Sequence, residues 1–181
     1  MRIATAQQVI AFWQEAGPER WFKKDTAFDD EIRGRFLETH EAAASGRLAP
    51  WEMTDDGTLG LLLLLDQFPR NMFRGSARSF ATDSLALGVA RRAIARGFDE
   101  KATEKMRAFF YLPFEHSEAL ADQERGVELY KAARDADGLK WAEIHADIIR
   151  RFGRFPHRNK LLGRATTPEE QKFLDEGGFS G

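Results

Sequence analysis

The feature that most constrains the fold is a run of leucines at residues 59–65, which reads LGLLLLL and is followed directly by Asp66. A helix built from this run has no polar face, so it must be buried on all sides. A buried carboxylate is tolerated mainly when a cation or several hydrogen-bond donors meet it. Because Arg70 and Arg74 follow within one short segment, the run predicts a buried helix that delivers Asp66 to a polar site at the edge of the core.

Length and charge limit the fold and its partners. The 181 residues are predicted to form one domain, residues 1–181, long enough to bury about two thirds of the surface of the unfolded chain. The 27 basic residues are balanced by 29 acidic ones. A chain without an excess of positive charge has no overall positive field to attract the phosphates of nucleic acids, so we expect no nucleic-acid partner.

The absence of cysteine and the hydropathy of the chain are the features from which we predict the cellular compartment. The chain has no cysteine, which excludes disulfides and thiolate metal sites. Its first residues form no apolar signal segment, and the leucine run is far shorter than the roughly 20 residues of a membrane span. We therefore predict a cytoplasmic protein with no membrane partner.

Apolar residues recur at helical spacing along most of the chain, and no stretch alternates in the manner of a strand. The clearest helix starts, each with a capping side chain, are Thr5 with Gln8, Asp25 or Thr26, and Thr167 with Glu170. Short turns between successive helices favour antiparallel neighbours. The sequence thus predicts an all-α fold of antiparallel helical hairpins with no sheet.

Two prolines predict helix boundaries. Pro69 disfavours the helical conformation at Phe68, so the leucine helix is expected to stop or kink there. Pro113 suits the first position of a helix, because its missing N–H costs nothing there. That helix is predicted to continue to about residue 136, with residues 115–118 in its first turn, and to be followed by a helix over residues 139–152.

One motif occurs twice, as FPRN at residues 68–71 and as FPHRN at residues 155–159, each just after a predicted helix. On one interpretation these are turns whose arginines tie down helix ends and Asp66. On the other, the arginines form a pocket that binds carboxylate or phosphate groups in bidentate fashion. The ligand-binding residues of that pocket would be Gln67, Arg70, Asn71, Arg74, Glu115, Gln123, Arg154, His157, Arg158 and Asn159.

A second polar cluster supplies the candidate catalytic residues. His116 can titrate near neutrality, and with Asp66 and Glu118 as carboxylate partners it is the candidate for proton transfer. The alternative is that the acidic residues complement the dipole of a helix start. His40 and His145 lie on apolar lines and are predicted to be core histidines bonded to a carbonyl or carboxylate. The sequence has no metal-ligand motif and no Gly-rich phosphate loop, so we predict no metal and no cofactor.

Three blocks of the sequence resemble one known family. They are residues 64–71 (LLDQFPRN), 113–118 (PFEHSE) and 151–159 (RFGRFPHRN), and they are similar to the bacterial family called domain of unknown function 924. The similarity extends over residues 9–170. The resemblance implies an all-α protein with a tetratricopeptide-repeat-like α–α superhelix, and it implies no particular activity.

Three functions are left open by the sequence. The first is a helical protein whose polar cleft binds a small anionic molecule or a peptide carboxylate. The second is an interaction scaffold that binds a protein partner in a helical groove. The third is an enzyme with His116 as general acid or base. The first and third both require that Asp66, His116 and Arg158 converge in space.

Overall fold

The computed structural model describes residues 3–179, and this part of the chain contains helices and turns but no strand. The predicted all-α fold is therefore confirmed. None of the helices within these residues is both long and apolar enough to cross a membrane. The α-helices are α1 (Ala6–Ala16), α2 (Pro18–Trp21), α3 (Thr26–Ala44), α4 (Asp55–Leu62), α5 (Phe68–Met72), α6 (Asp83–Ala95), α7 (Phe98–Lys101), α8 (Glu104–Glu115), α9 (Leu120–Ala133), α10 (Ala136–Phe152) and α11 (Pro168–Asp175).

The described residues divide into two compact units. The first unit contains residues 3–74 and Arg78–Pro113, and the second contains Gly75–Ala77 and residues 114–179. The last two residues of α8 therefore belong to the second unit. The single domain over residues 1–181 and the tetratricopeptide-repeat-like superhelix stay predictions.

Aromatic rings fill the core of the first unit. Trp13 of α1 stacks on Trp21 of α2, with ring centroids 5.9 Å apart, and on Phe28 of α3 at 6.0 Å. The same ring contacts Phe68 of α5 at 5.4 Å and Phe109 of α8 at 5.8 Å. Because buried aromatic side chains supply much of the apolar area in a small core, this cluster holds four further helices around α1.

The leucine helix is buried as predicted, but it does not stop at Phe68. Residues 63–67 form a π-helical turn that joins α4 to α5, and Phe68 keeps helical dihedral angles. The Phe68 N–H donates to the Leu63 carbonyl, five residues back, instead of to Leu64. Pro69 then occupies the first turn of α5, where its missing N–H is tolerated. The predicted stop is therefore wrong, because the helix changes its hydrogen-bond register ahead of the proline, and a kink at Phe68 stays a prediction.

Side chains from elsewhere in the first unit bond the carbonyls that this register change and the proline leave open. His40 Nδ1 donates to the Leu64 carbonyl at 2.9 Å, and Thr82 Oγ1 donates to the Leu65 carbonyl at 2.5 Å. Burial lowers the pKa of His40, although its bond to Leu64 acts in the opposite direction. The prediction that His40 is a core histidine bonded to a carbonyl is confirmed.

The second unit departs from the predicted helix boundaries. α8 continues through Pro113 and ends at Glu115, so residues 116–118 lie in a loop and not in the first turn of a helix. Gln123 of α9 explains the end of α8, because its Nε2 donates to the carbonyls of Phe114, Glu115 and Ser117 at 3.3, 2.6 and 2.6 Å. The Phe114 carbonyl also accepts the Ser117 N–H at 3.2 Å, and Gln123 adds a side-chain donor for carbonyls at a helix end, which often lack a partner.

The boundary between α9 and α10 also lies earlier in the sequence than predicted. α9 ends at Ala133 because Arg134 adopts a left-handed conformation with φ of 58°. Asp135 then caps α10, and its side chain accepts a hydrogen bond from the Gly138 N–H at 2.9 Å. α10 therefore begins three residues before the predicted start at Leu139.

Candidate functional site

Two of the predicted ligand-binding residues of the first unit, Gln67 and Arg70, surround Asp66. The Asp66 residue is 1% exposed, and its side chain accepts a hydrogen bond from Gln67 Nε2 at 2.5 Å. Arg70 Nη1 lies 3.3 Å from Asp66 Oδ1, and its guanidinium also binds Asp83 in bidentate fashion at 2.9 and 3.1 Å. Burial by itself would lower the pKa of Arg70, but the charges of Asp66 and Asp83 raise it above its ordinary value.

The other two residues of this group, Asn71 and Arg74, both bind Asp29. Arg74 forms a bidentate pair with Asp29 at 2.6 and 2.9 Å, and Asn71 Nδ2 donates to the same carboxylate at 2.8 Å. α5 is thus tied to α3 through Asp29 and to α6 through Asp83. These contacts favour the interpretation in which the arginines tie helices together, and a ligand-binding role for them stays a prediction.

The two copies of the repeated motif have different local structures. Residues 68–71 lie within α5, whereas Pro156–Arg158 form a short 3₁₀ turn. The prediction that each copy lies in a turn just after a helix is therefore wrong for the first copy, whereas the second copy lies in a turn after α10. The difference arises because the helix continues from the π turn through the proline of the first copy, whereas α10 ends at Phe152, with Gly153 as its C-cap, before the second copy begins.

In the second unit, Arg154 and Asn159 both bind Glu170 of α11. Arg154 forms a bidentate pair with Glu170 at 2.6 and 2.9 Å, and Asn159 Nδ2 lies 3.2 Å from Glu170 Oε2. The Glu170 carboxylate also accepts the Thr167 N–H, which completes the predicted capping box of α11. The hydrogen bond from Arg154, opposed by burial, lowers the pKa of Glu170 to about 2.

The lowered pKa of Glu170 predicts that the free energy of unfolding decreases in acid. Because the folded-state pKa of Glu170 lies below its ordinary value of 4.5, its contribution is complete above pH 4.5 and is lost as pH falls towards 2. Glu170→Gln should therefore lower the free energy of unfolding by about 2 kcal/mol near neutral pH. Urea denaturation should show the gap between wild type and variant closing between pH 4.5 and 2. A gap that stays constant with pH would contradict this role of Glu170.

A second ion pair of this unit joins Glu118 to Arg164, a residue that the sequence did not single out. Arg164 binds the Glu118 carboxylate at 2.7 and 2.9 Å, and the Phe155 N–H donates to Glu118 Oε1 at 2.8 Å. Burial would raise the pKa of Glu118, but the hydrogen bonds from Arg164 and Phe155 and the charges of Arg164 and Arg158 hold it below its ordinary value. No motif surrounds Arg164, so the sequence offers no signal for this pair.

Three side chains that can carry positive charge lie against the ring of Phe155, which is fully buried. The Arg158 guanidinium lies over the ring with its Cζ 4.6 Å from the centroid. The His145 ring meets it edge-on at 5.6 Å, and the His157 ring is tilted against it at 5.6 Å. We call Phe155, His145, His157, Arg158 and the neighbouring Glu115 the Phe155 cluster.

His145 is oriented by two acceptors. Its Nδ1 donates to the Trp141 carbonyl at 2.8 Å and lies 3.4 Å from Glu115 Oε2. The prediction of a core histidine bonded to a carbonyl is confirmed. Because a carbonyl fixes the proton on Nδ1, Nε2 of the neutral ring is the nitrogen that can accept a proton.

The three predicted catalytic residues do not all belong to the same unit. His116 and Glu118 lie in the loop after α8, where His116 is half-buried and Glu118 binds Arg164. Asp66 belongs to the first unit. The convergence of Asp66, His116 and Arg158 stays a prediction, and so does a catalytic role for His116.

An apolar groove between α10 and α11 adjoins the Phe155 cluster. The groove has a volume of about 410 Å³, and its apolar walls are Ile144, Ile148, Phe173 and Phe179. Phe179 also contacts His145 and His157, with ring centroids 4.5 and 5.2 Å apart. We call this cavity the α10–α11 groove, and none of the residues that line it belongs to the Phe155 cluster.

Among residues 3–179, no group of three or more histidine and acidic side chains is arranged to hold a metal ion. Two imidazoles and a guanidinium around one buried ring can bind an anion, and an apolar groove beside them can hold uncharged atoms.

Comparison with known proteins places the chain in a family. A model of bacterial proteins of unknown function, DUF924, matches residues 9–178. The chain is also similar to a solved structure of ATU0120, a protein of unknown function from Agrobacterium tumefaciens, with 50% sequence identity and a TM-score of 0.92 over 95% of this chain and 97% of that one. No curated protein matches the chain. The chain therefore belongs to the DUF924 family of bacterial proteins of unknown function.

Proposed function

We propose that this protein binds a small anionic ligand, such as a free carboxylate or the carboxylate end of a peptide, at the Phe155 cluster. The observation that carries the proposal is the packing of His145, His157 and Arg158 on one buried ring. Guanidinium and imidazolium groups are strong donors to carboxylate and phosphate oxygens.

The charges of the Phe155 cluster favour the binding of an anion over the binding of a cation. Glu118 forms a bidentate pair with Arg164, and the cluster itself contains the carboxylate of Glu115, the guanidinium of Arg158 and two imidazoles. Each proton that a histidine takes up adds one positive charge to the cluster. Since an anion favours the protonated imidazoles, its affinity should rise as pH falls through the histidine range.

Titration calorimetry with acetate and with inorganic phosphate tests the proposal. Wild-type protein is expected to bind at least one of these anions saturably, with a Kd at mildly acidic pH several-fold lower than at mildly alkaline pH. His157→Asn and Arg158→Gln should each weaken binding at least tenfold. Either variant counts only if its circular dichroism spectrum matches that of the wild type.

Lys172→Gln is the matched control, because Lys172 is an exposed cation of α11 that pairs with Glu176 and does not belong to the cluster. It should bind like the wild type. The proposal is overturned if the wild type binds neither anion, or if the cluster variants and Lys172→Gln lose affinity equally. An enzyme that uses His116 and a scaffold for a protein partner stay predictions.

A further inference from the structure

We infer that the α10–α11 groove is the interface of a homodimer, in which α10 of one copy packs antiparallel against α10 of a second copy. The inference goes beyond the proposed function, because none of the groove residues belongs to the Phe155 cluster. It commits to a second copy of this chain as the occupant of the groove, and to a two-fold axis that passes near Ile144.

The part of the groove that α10 forms is one face of that helix. Its residues recur at three- and four-residue spacing, which places them on the same side of a helix. They are Lys140, Glu143, Ile144, Asp147 and Ile148. Ile144 is half-buried and the three charged residues are exposed, so a partner can reach the apolar side chain that lies between the charges.

Aromatic side chains lie at both ends of this face. Trp141, near the N-terminal end of α10, is 48% exposed, and its ring centroid lies 6.5 Å from that of Phe179. Towards the C-terminal end, the Arg151 guanidinium lies over the ring of Phe173, with Cζ 5.2 Å from the centroid. Tryptophan and arginine are enriched in protein interfaces, so an exposed tryptophan beside an open apolar groove favours a protein partner.

The charges on this face have opposite signs on the two sides of Ile144. Asp137 and Arg151 lie seven residues before and after it, which is about 10.5 Å along the helix axis in each direction. Lys140 and Asp147 lie four residues before and three residues after it, at about 6 and 4.5 Å. A rotation of 180° about an axis through Ile144 therefore places each of these four charges opposite a charge of the other sign on the second copy.

These charges are little used inside one copy. Asp137 and Lys140 form no ion pair within residues 3–179, and Asp147 and Arg151 are exposed and 4.0 Å apart, which is a weak surface pair. An interface between two identical copies requires such an inverted pattern, because a residue that contacts another across the axis is contacted by it in return. A small molecule or an unrelated protein in the groove would require no such inversion.

Sedimentation velocity of the full chain tests the inference. The wild type is expected to form a dimer whose fraction rises with protein concentration and falls at high salt. Ile144→Glu places two carboxylates together at the axis and should raise the dimer Kd by about tenfold or more. Lys160→Glu is the matched control, because Lys160 is an exposed cation of the same unit that does not line the groove. It should dimerise like the wild type.

Two charge reversals test the antiparallel pairing itself. Lys140→Glu and Asp147→Lys should each raise the homodimer Kd by about tenfold or more, because like charges then face each other at both symmetry-related pairs. An equimolar mixture of the two variants should form a heterodimer with an affinity near that of the wild type, since both pairs then have opposite signs. A change in the fold of either variant could not produce this recovery.

The inference is overturned if the wild type stays monomeric at every protein concentration, or if its dimer survives Ile144→Glu. It is also overturned if the mixture of charge-reversal variants associates no better than either variant alone. In each of these cases the groove is left to a small molecule or to an unrelated protein. Anion binding at the Phe155 cluster is measured separately, so its outcome does not depend on these results.

Discussion

Phe155→Ala is expected to lower the free energy of unfolding by about 3–5 kcal/mol, the usual cost of removing a buried aromatic ring. Phe155 is fully buried and packs with Ile148 and Ile149 in the core of the second unit. The surrounding residues can collapse only partly into the space of the ring. The substitution also removes the surface against which His145 and Arg158 lie, so anion binding should be lost as well.

Phe155→Leu separates these two effects. Leucine fills most of the space, so its cost should be about 1–2 kcal/mol. It has no π face for the guanidinium of Arg158, an interaction that contributes about 0.5–2 kcal/mol. Denaturant titrations followed by circular dichroism measure both variants. A cost below about 1 kcal/mol for Phe155→Ala would show that Phe155 does not organise this core.

Gly57→Ala is expected to destabilise the first unit by about 3 kcal/mol. A Cβ atom at position 57 would lie 2.2 Å from the Trp51 carbonyl oxygen and 2.8 Å from Oγ1 of Thr54, the residue that caps α4. The first contact is with backbone, so rotation of a side chain cannot relieve it. The turn before α4 must shift, and the cap is disturbed.

Gly34→Ala is the matched control for this prediction. Gly34 lies inside α3, and a Cβ atom there would have no neighbour within 4 Å. Because alanine has a higher helix propensity than glycine, this substitution should stabilise the protein by about 0.5–1 kcal/mol. Both variants are measured by the same urea titration. Effects of the same sign would contradict the assignment of Gly57 to a close backbone contact.

Features that depend on neighbouring residues could be predicted from the sequence. The capping boxes of α1 and α11 and the Asp25 cap of α3 involve residues at most three positions apart, and all three are present. The burial of the leucine run follows from its lack of any polar face.

Features that depend on distant partners could not be predicted. The helix continues past Pro69 because Thr82 bonds the carbonyl that the proline leaves open, 17 positions away in sequence. Arg74 binds Asp29 across 45 positions, and Arg164 binds Glu118 across 46. The sequence contains many acidic residues and does not indicate which one meets a given arginine.

The candidate site also has local features that could be predicted from the sequence and long-range features that could not. The sequence identified Glu115, His157 and Arg158 as polar residues at helix ends, and the second unit brings them into one cluster. It assigned His145 only to the core, because an apolar helical line does not show that Glu115 lies 3.4 Å away. The groove beside them also depends on the packing of α11 and Phe179, which no local pattern encodes.

Histidine NMR tests the central claim most directly, because the chain has four histidines and each imidazole can be assigned by a single substitution. Acetate or inorganic phosphate, whichever binds, should shift the signals of His145 and His157 saturably and with one common Kd. The imidazole of His40, which is buried in the first unit against the Leu64 carbonyl, should not respond. Unchanged His145 and His157 signals in saturating acetate and phosphate, or equal shifts of all four histidines, would contradict binding at the Phe155 cluster.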